Sequence, residues 1–166
     1  MNIIVPFFEK QLKEEADHTR KMLKIVPEDR YDWQPHPKSM SIRRLATHIA
    51  ELPGWIPMGI NTDVLDFSAG DYKPTAINNN SELLSVFEEN QKQALESLST
   101  TTDEFLQNLW TMKDGDQIYM TASKEDVIRM AISQTIHHRA QLGVFLRLLN
   151  IPIPGTYGPS ADEMGF

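Results

Sequence analysis

A chain of 166 residues, 40% hydrophobic and 23% charged, is long enough for one domain with a real core and has the balance of an ordinary globular protein. Its net charge of −7, with no compensating run of Lys or Arg, argues against a phosphate-backbone partner, so no nucleic acid is expected. The absence of cysteine excludes disulfides, thiolate ligands and a cysteine nucleophile.

The opening "MNIIVPFFEKQLKEE" has no basic stretch ahead of a long apolar run, so it reads as a helix and no signal peptide is expected. From about Ile4 to Val26, a stripe of Ile4, Phe8, Leu12, Thr19, Met22 and Val26 recurs at helical spacing, with Glu15 inside it. The proline-rich "PEDRYDWQPHPK" predicts a short turn of helix plus loop. A second helix opens after Ser41, a candidate N-cap, and Pro53-Gly54 bends or ends it. Its stripe is Ile42, Leu45, Ile49 and Leu52, with His48 at the edge, towards Glu51 and Arg44. "TDVLDFSAGDYKPTAI" follows as a long surface excursion. The third helix opens at "NNNSELLSVFEENQKQALESL", with Asn80 or Ser81 as cap. Leu84, Phe87, Ala94 and Leu98 form its stripe, with Gln91 inside. In "NLWTMKDGDQIYMTA", Asp114-Gly115 between two strand-like runs predicts a β-hairpin. The fourth helix opens at Ser123, with Asp126 completing a capping box, and runs to about Asn150, where Pro152 and Pro154 forbid its continuation. The tail "IPIPGTYGPSADEMGF" is too rich in proline and glycine to be helical. No stretch approaches 18 apolar residues, so no membrane span is expected and a cytoplasmic location is the default.

These elements predict an all-α four-helix bundle, a single domain over residues 1–166, with a short β-hairpin before the last helix. On a helical wheel, Val127, Ala131, Gln134, His138, Leu142, Phe145 and Leu149 share an arc of about 80°. His138 and Gln134 then lie on the inward stripe, one turn apart, and His137 falls on its flank. Every helix thus carries a polar residue on or beside its buried face, and buried polar groups at similar depth meet to satisfy one another. A polar pocket inside the bundle is the expectation. A lone inward histidine is more often a hydrogen-bonded core residue than a ligand, and Glu15 fits a buried ion pair with Arg43 or Arg44 as well as a catalytic role. Gln91 reads as a structural hydrogen-bonder, Arg139 as the partner of an acid elsewhere. Ile132, Ile136, Ala140 and Gly143 form a second apolar face on the fourth helix, lying under the hairpin or forming a homodimer seam; the dimer is the preferred reading.

"LATHIAELPGW" in the second helix and "QTIHHRAQLGVFLRLLNIPIPG" in the last, with the tail "GTYGPSADE", resemble the DinB/YfiT-like superfamily over essentially the whole chain. The resemblance implies an up-down-down-up bundle, commonly dimeric, that holds a divalent metal, nickel or zinc, by three histidines. One comes from the second helix and two from a His-x-x-x-His turn in the last. Carried over residue by residue, the ligands are His48 and His138, while the position four residues earlier is Gln134 instead of histidine. An amide oxygen is neutral and holds a borderline ion less tightly than imidazole does. Glu51 or Glu15 would complete the set with a carboxylate, or serve as general base. Some related enzymes use low-molecular-weight thiols such as bacillithiol or mycothiol. The resemblance therefore implies a metal-dependent enzyme of the thiol-transfer or hydrolytic kind, acting on an unidentified small molecule, with metal occupancy weakened by Gln134. The alternative is a non-catalytic small-molecule-binding or structural homodimer with a degenerate metal site. Tyr157, Asp162 and Glu163 in the tail would cover the pocket mouth.

Overall fold

The first helix, α1 (Ile4–Lys24), has no side-chain cap of its own. Asp103, distant in sequence, supplies one: its carboxylate accepts from the backbone N–H groups of Ile3, Ile4 and Val5 at 2.5, 3.0 and 3.0 Å. The computed structural model describes residues 2–70 and 75–165. Asp103 lies just beyond the end of α4 (Asn80–Ser99), whose first residue reaches the other end of α1 through Asn80 Nδ2 to the Val26 carbonyl at 2.6 Å. The two helices are therefore antiparallel. The second helix, α2 (Ile42–Glu51), runs alongside α4 in the same direction. Arg43 donates to the Ile77 carbonyl at 2.6 Å beside the start of both, and Asn90 donates to the Ala50 carbonyl at 3.0 Å further along. The last long helix, α5 (Lys124–Leu148), is parallel to α1. Val5 and Phe8 share a core cluster with Ile128 and Ile132 near the starts, and Met22 and Leu23 share another with Leu142 and Leu146 near the ends. The order is up-down-down-up, and α1 and α2 each pack against both α4 and α5.

Local chemistry explains the boundaries. Ser41 Oγ accepts from Arg44 N–H at 3.3 Å and Ser123 Oγ from Asp126 N–H at 3.1 Å, as the sequence predicts. Asp126 does not close a capping box in the usual way: its carboxylate lies 3.2 Å from the Ser123 hydroxyl. The cap of α4 is Asn79, whose side chain accepts from Glu82 N–H at 2.9 Å, and not Asn80 or Ser81. Asn80 is committed elsewhere, to Val26 and to the Tyr31 hydroxyl at 2.7 Å. After α2, Leu52–Gly54 forms a turn of 3-10 helix, and α3 (Trp55–Asn61) follows directly, so Pro53 bends the helix without ending it.

The predicted hairpin is β2 (Leu109–Asp114) with β3 (Gln117–Ser123), turning at Gly115 with φ +57°. The surface excursion adds a strand that sequence reading missed. This is β1 (Val64–Asp66), parallel to β2 with Val64 opposite Thr111. Trp110 fills the space beneath the sheet, fully buried, and its indole N–H donates to Thr62 Oγ1 at 3.1 Å. Lys124, the first residue of α5, is also buried; its ammonium donates to the carbonyls of Gly59 (3.0 Å), Ile60 (3.2 Å) and Thr62 and lies 3.0 Å from Asp63. A cation here satisfies the last carbonyls of α3 and complements the negative end of its dipole. The tail is extended until a one-turn helix, α6 (Ala161–Met164), which the expectation of a wholly non-helical tail did not include. A capping box between Ser160 and Glu163 supports it. Asp162 ties α6 to Arg147 at 2.5 Å, and this partner above all holds its carboxyl down to about 2. No helix among the described residues is long and apolar enough to cross a membrane.

Candidate metal centre

The buried face of α5 is rotated from the predicted arc. Its buried members include Val127, Ile128, Ala131, Ile132, Thr135, Arg139, Leu142 and Leu146. Gln134 is exposed, His138 half-buried, and Phe145 and Leu149 only partly covered. The rotation has one cause. Arg139 lies inside, 2% exposed, although a guanidinium counts as outward on any hydropathy wheel.

Arg139 is inside because α1 and the tail supply its partners. Its Nη1 lies 2.7 Å from Glu15 Oε2 and donates to the Glu15 carbonyl at 3.2 Å and to Thr19 Oγ1 at 3.1 Å. Nη2 donates to the Tyr157 hydroxyl at 3.0 Å, which in turn donates to Glu15 Oε1 at 2.7 Å. Burial and then this bond to Glu15 raise the Tyr157 phenol above its ordinary value. Glu15 thus takes Arg139 as its ion-pair partner, in place of Arg43 or Arg44. Arg43 serves Ile77 and, at 3.4 Å, Asp32. Gln91, inward as predicted, donates to the Leu12 carbonyl at 3.1 Å. Glu15, Thr19, Gln91 and Thr135 wall a void of only about 10 Å³, at the limit for a single water. The polar groups of α1 and α4 border this one small void, where Gln91 Oε1 is buried without a hydrogen-bond partner.

A second polar site lies between α2 and α5. The ring centroids of His48 and His138 are 4.7 Å apart, with the rings at 74°. Two imidazoles bonded to one ion at about 2.0–2.1 Å, with an angle near 90–110° between them, have centroids about 4.5–5.2 Å apart. The spacing fits a shared ion. His138 Nδ1 is 2.9 Å from Gln141 Oε1; with the amide oxygen accepting, Nδ1 carries the proton and Nε2 keeps its lone pair. Burial, then the neighbouring His138 and Arg44, hold His48 below its ordinary value against the opposing pull of Glu51. His48 is therefore neutral, and able to donate a lone pair, at pH 7.

The remaining predicted residues are placed as follows. Gln134 lies one turn before His138 on α5, at the edge of a groove shared with Met130, Ser133 and His137. Glu51 follows His48 on α2, and its Oε1 accepts from Thr75 N–H at 2.8 Å and Thr75 Oγ1 at 2.7 Å. The contacts of Glu15 are those of the Arg139 cluster. His137 is exposed, with its ring 4.9 Å from that of His138. Among the described residues, no three His, Cys, Asp or Glu side chains are grouped to hold a metal. Sequence reasoning missed two features. One is Gln141, detectable only as an amide three residues after His138. The other is a cavity of about 570 Å³ beside His48, walled by α3 and by Leu65 and Phe67 of the surface excursion.

Comparison with known proteins bears on the whole architecture. A model of the DinB family matches residues 7–165. A DinB-like protein from Bacillus cereus superposes with a TM-score of 0.70 at 20% identity, covering 90% of this chain and 95% of its own. YfiT from Bacillus subtilis, a probable metal-dependent hydrolase with an unusual four-helix bundle topology, gives 0.64 at 12% identity over 89% of each chain. A mycothiol-dependent maleylpyruvate isomerase gives 0.61 at 11% identity, over 86% of this chain and 64% of its own. No curated protein matches by sequence. At these identities the structural likenesses establish the fold alone.

Proposed function

Because this chain belongs to the DinB family, we propose that it is a metal-dependent enzyme of the hydrolytic or thiol-transfer kind, with a divalent ion held by His48 and His138 and, more weakly, by Gln134. The observation that carries the reading is the 4.7 Å approach of two imidazoles from non-adjacent helices. The rings meet edge to face, and no hydrogen bond joins them directly, so their lone pairs are left for an ion. When bound, an ion such as nickel or zinc supplies a Lewis acid with an open position for a substrate group. The side chains do the rest. Gln141 fixes the tautomer and tilt of His138, as an outer partner of a ligating imidazole does. Burial keeps His48 unprotonated. Glu51, anchored by Thr75 at the edge of the site, is the proton acceptor in this reading, while Glu15 stays engaged with Arg139. YfiT, described as metal-dependent, and the mycothiol-dependent isomerase support a small-molecule substrate, with a low-molecular-weight thiol one candidate. Of the predicted seam, Ile132 and Gly143 are buried within the protomer, while the exposed Ala140, with Val144 and Leu148 beside it on α5, supports self-association as a homodimer, which sedimentation at micromolar concentration tests.

The solvent exposure of Gln134 favours a second reading, a small-molecule binder with a degenerate metal site. Metal analysis of untagged protein separates the two. The enzyme reading expects a stoichiometric nickel, zinc or iron ion, lost in His138→Ala and bound about tenfold or more tightly in Gln134→His. No uptake of any divalent ion, by wild type or by Gln134→His, overturns it.

A further inference from the structure

The cavity beside His48 has a chemistry of its own. Trp55 and Met58 of α3 and Leu65 and Phe67 of the excursion give it an apolar wall. Its volume of about 570 Å³ suits a compact organic molecule. Arg44 lies in the same wall, one helical turn before His48 and on the same side of α2. Its Nη1 is buried and has no hydrogen-bond partner, and among the described residues its guanidinium makes no ion pair. A guanidinium so placed is costly unless something completes it, and Arg139 of the same protein, buried among four acceptors, is the measure of what completion looks like. A planar fork of donors matches a carboxylate in a way that a hydroxyl or amide does not.

Asp66 also borders the cavity and bears on how much negative charge a ligand can carry. It accepts from the Ser68 hydroxyl at 2.7 Å and from Gly115 N–H at 3.0 Å, and pairs with Lys113 at 3.2 Å. These bonds, that of Ser68 first, keep it ionised far below the usual carboxylate range. Lys113 offsets its charge, so a single additional anion is tolerated, and a dianionic phosphate is disfavoured beside it.

We infer that this cavity binds an apolar monocarboxylate, such as an aryl-alkyl acid, with Arg44 holding the carboxylate and Trp55, Met58, Leu65 and Phe67 covering the apolar body. This rests on the reading of the His48–His138 pair as the reacting centre. It places the carboxylate at Arg44 and the group to be transformed towards His48, at the two polar points of one cavity wall. Arg44 is then a specificity-determining residue that touches substrate away from the bond that changes.

The test uses phenylbutyrate and its uncharged analogue phenylbutyramide as probes, with chelated, metal-free protein, followed by chemical-shift changes at the Trp55 indole and the Met58 methyl. Wild type is expected to bind the acid about tenfold or more tightly than the amide. Arg44→Gln abolishes that preference and leaves the amide affinity unchanged; Arg44→Lys restores only part of it. Inorganic phosphate competes weakly or not at all. Equal affinity for acid and amide in wild type, no perturbation at Trp55 and Met58 with either probe, or an undiminished preference in Arg44→Gln overturns the inference. Because the protein is metal-free, an acid preference that survives alongside a failure of metal uptake overturns the proposed metal centre and leaves the cavity assignment standing. Metal uptake without an acid preference does the reverse.

Discussion

His138 and Arg139 are neighbours on one helix and belong to two different kinds of polar site. Arg139 turns into the core, where Glu15, Thr19 and Tyr157 satisfy it and almost no space remains. His138 turns to the seam between α2 and α5, where it meets another imidazole and one amide, with a large cavity alongside. The two residues differ in whether the protein completes them: Arg139 has its partners, and the His48–His138 pair has only Gln141. A buried polar group matched on every side holds the fold together; one left with lone pairs beside a cavity is available for a ligand.

That contrast is sharpest in stability. Arg139→Met leaves the Glu15 carboxylate buried without its cation and is expected to cost about 3–5 kcal/mol in urea unfolding, with part recovered by adding Glu15→Gln. His138→Ala, at a half-buried position, costs about 1 kcal/mol or less. Equal losses at the two positions would erase the distinction. Next in size is Gln141→Ala. It removes the acceptor beside His138 Nδ1 and is expected to weaken zinc or nickel binding about tenfold, at the low end for such partners because Gln141 is exposed, with an unchanged urea midpoint. The smallest effect is on pH dependence. The folded protein holds His48 below its ordinary value of 6.5, so the unfolded chain takes up that proton first as pH falls. The contribution of neutral His48 is therefore complete above pH 6.5 and is lost as pH falls through the lower folded value. His48→Gln should flatten the urea midpoint of the metal-free protein across that range. A steeper slope in the variant would mean that the sign is wrong.

The sequence carried the bundle because its periodic stripes are strong. Every predicted stripe residue of α1 from Phe8 to Val26 is buried, and so are Ile42, Leu45, Ile49 and Leu52. It carried the site less well, for a physical reason. Arg139 is charged and inward, so hydropathy moved the inferred centre of α5 towards Gln134 and away from Ile128 and Thr135. The partner that explains Arg139 is 124 residues away on α1 and could not be paired with it from spacing. The wheel placed His138 inside its stripe and His48 at the edge of its own, and the family resemblance is what marked both as ligands. The strand Val64–Asp66 was illegible because three residues display no alternation and their stability comes from pairing with β2. The cavity was illegible for the same reason, as Leu65 and, in the turn that follows, Phe67 acquire a direction only when that strand docks.

Lys124 brings these parts into register. Its single ammonium fastens the final turn of α3 to the first residue of α5. The panel bearing Trp55 and Met58 is thereby pinned to the rod bearing His138, while Leu65 lies on β1 and Phe67 in the turn just after it. Relatives sharing this clamp would be free to vary the β1 side, and so the shape of what is admitted, without disturbing where the imidazoles point.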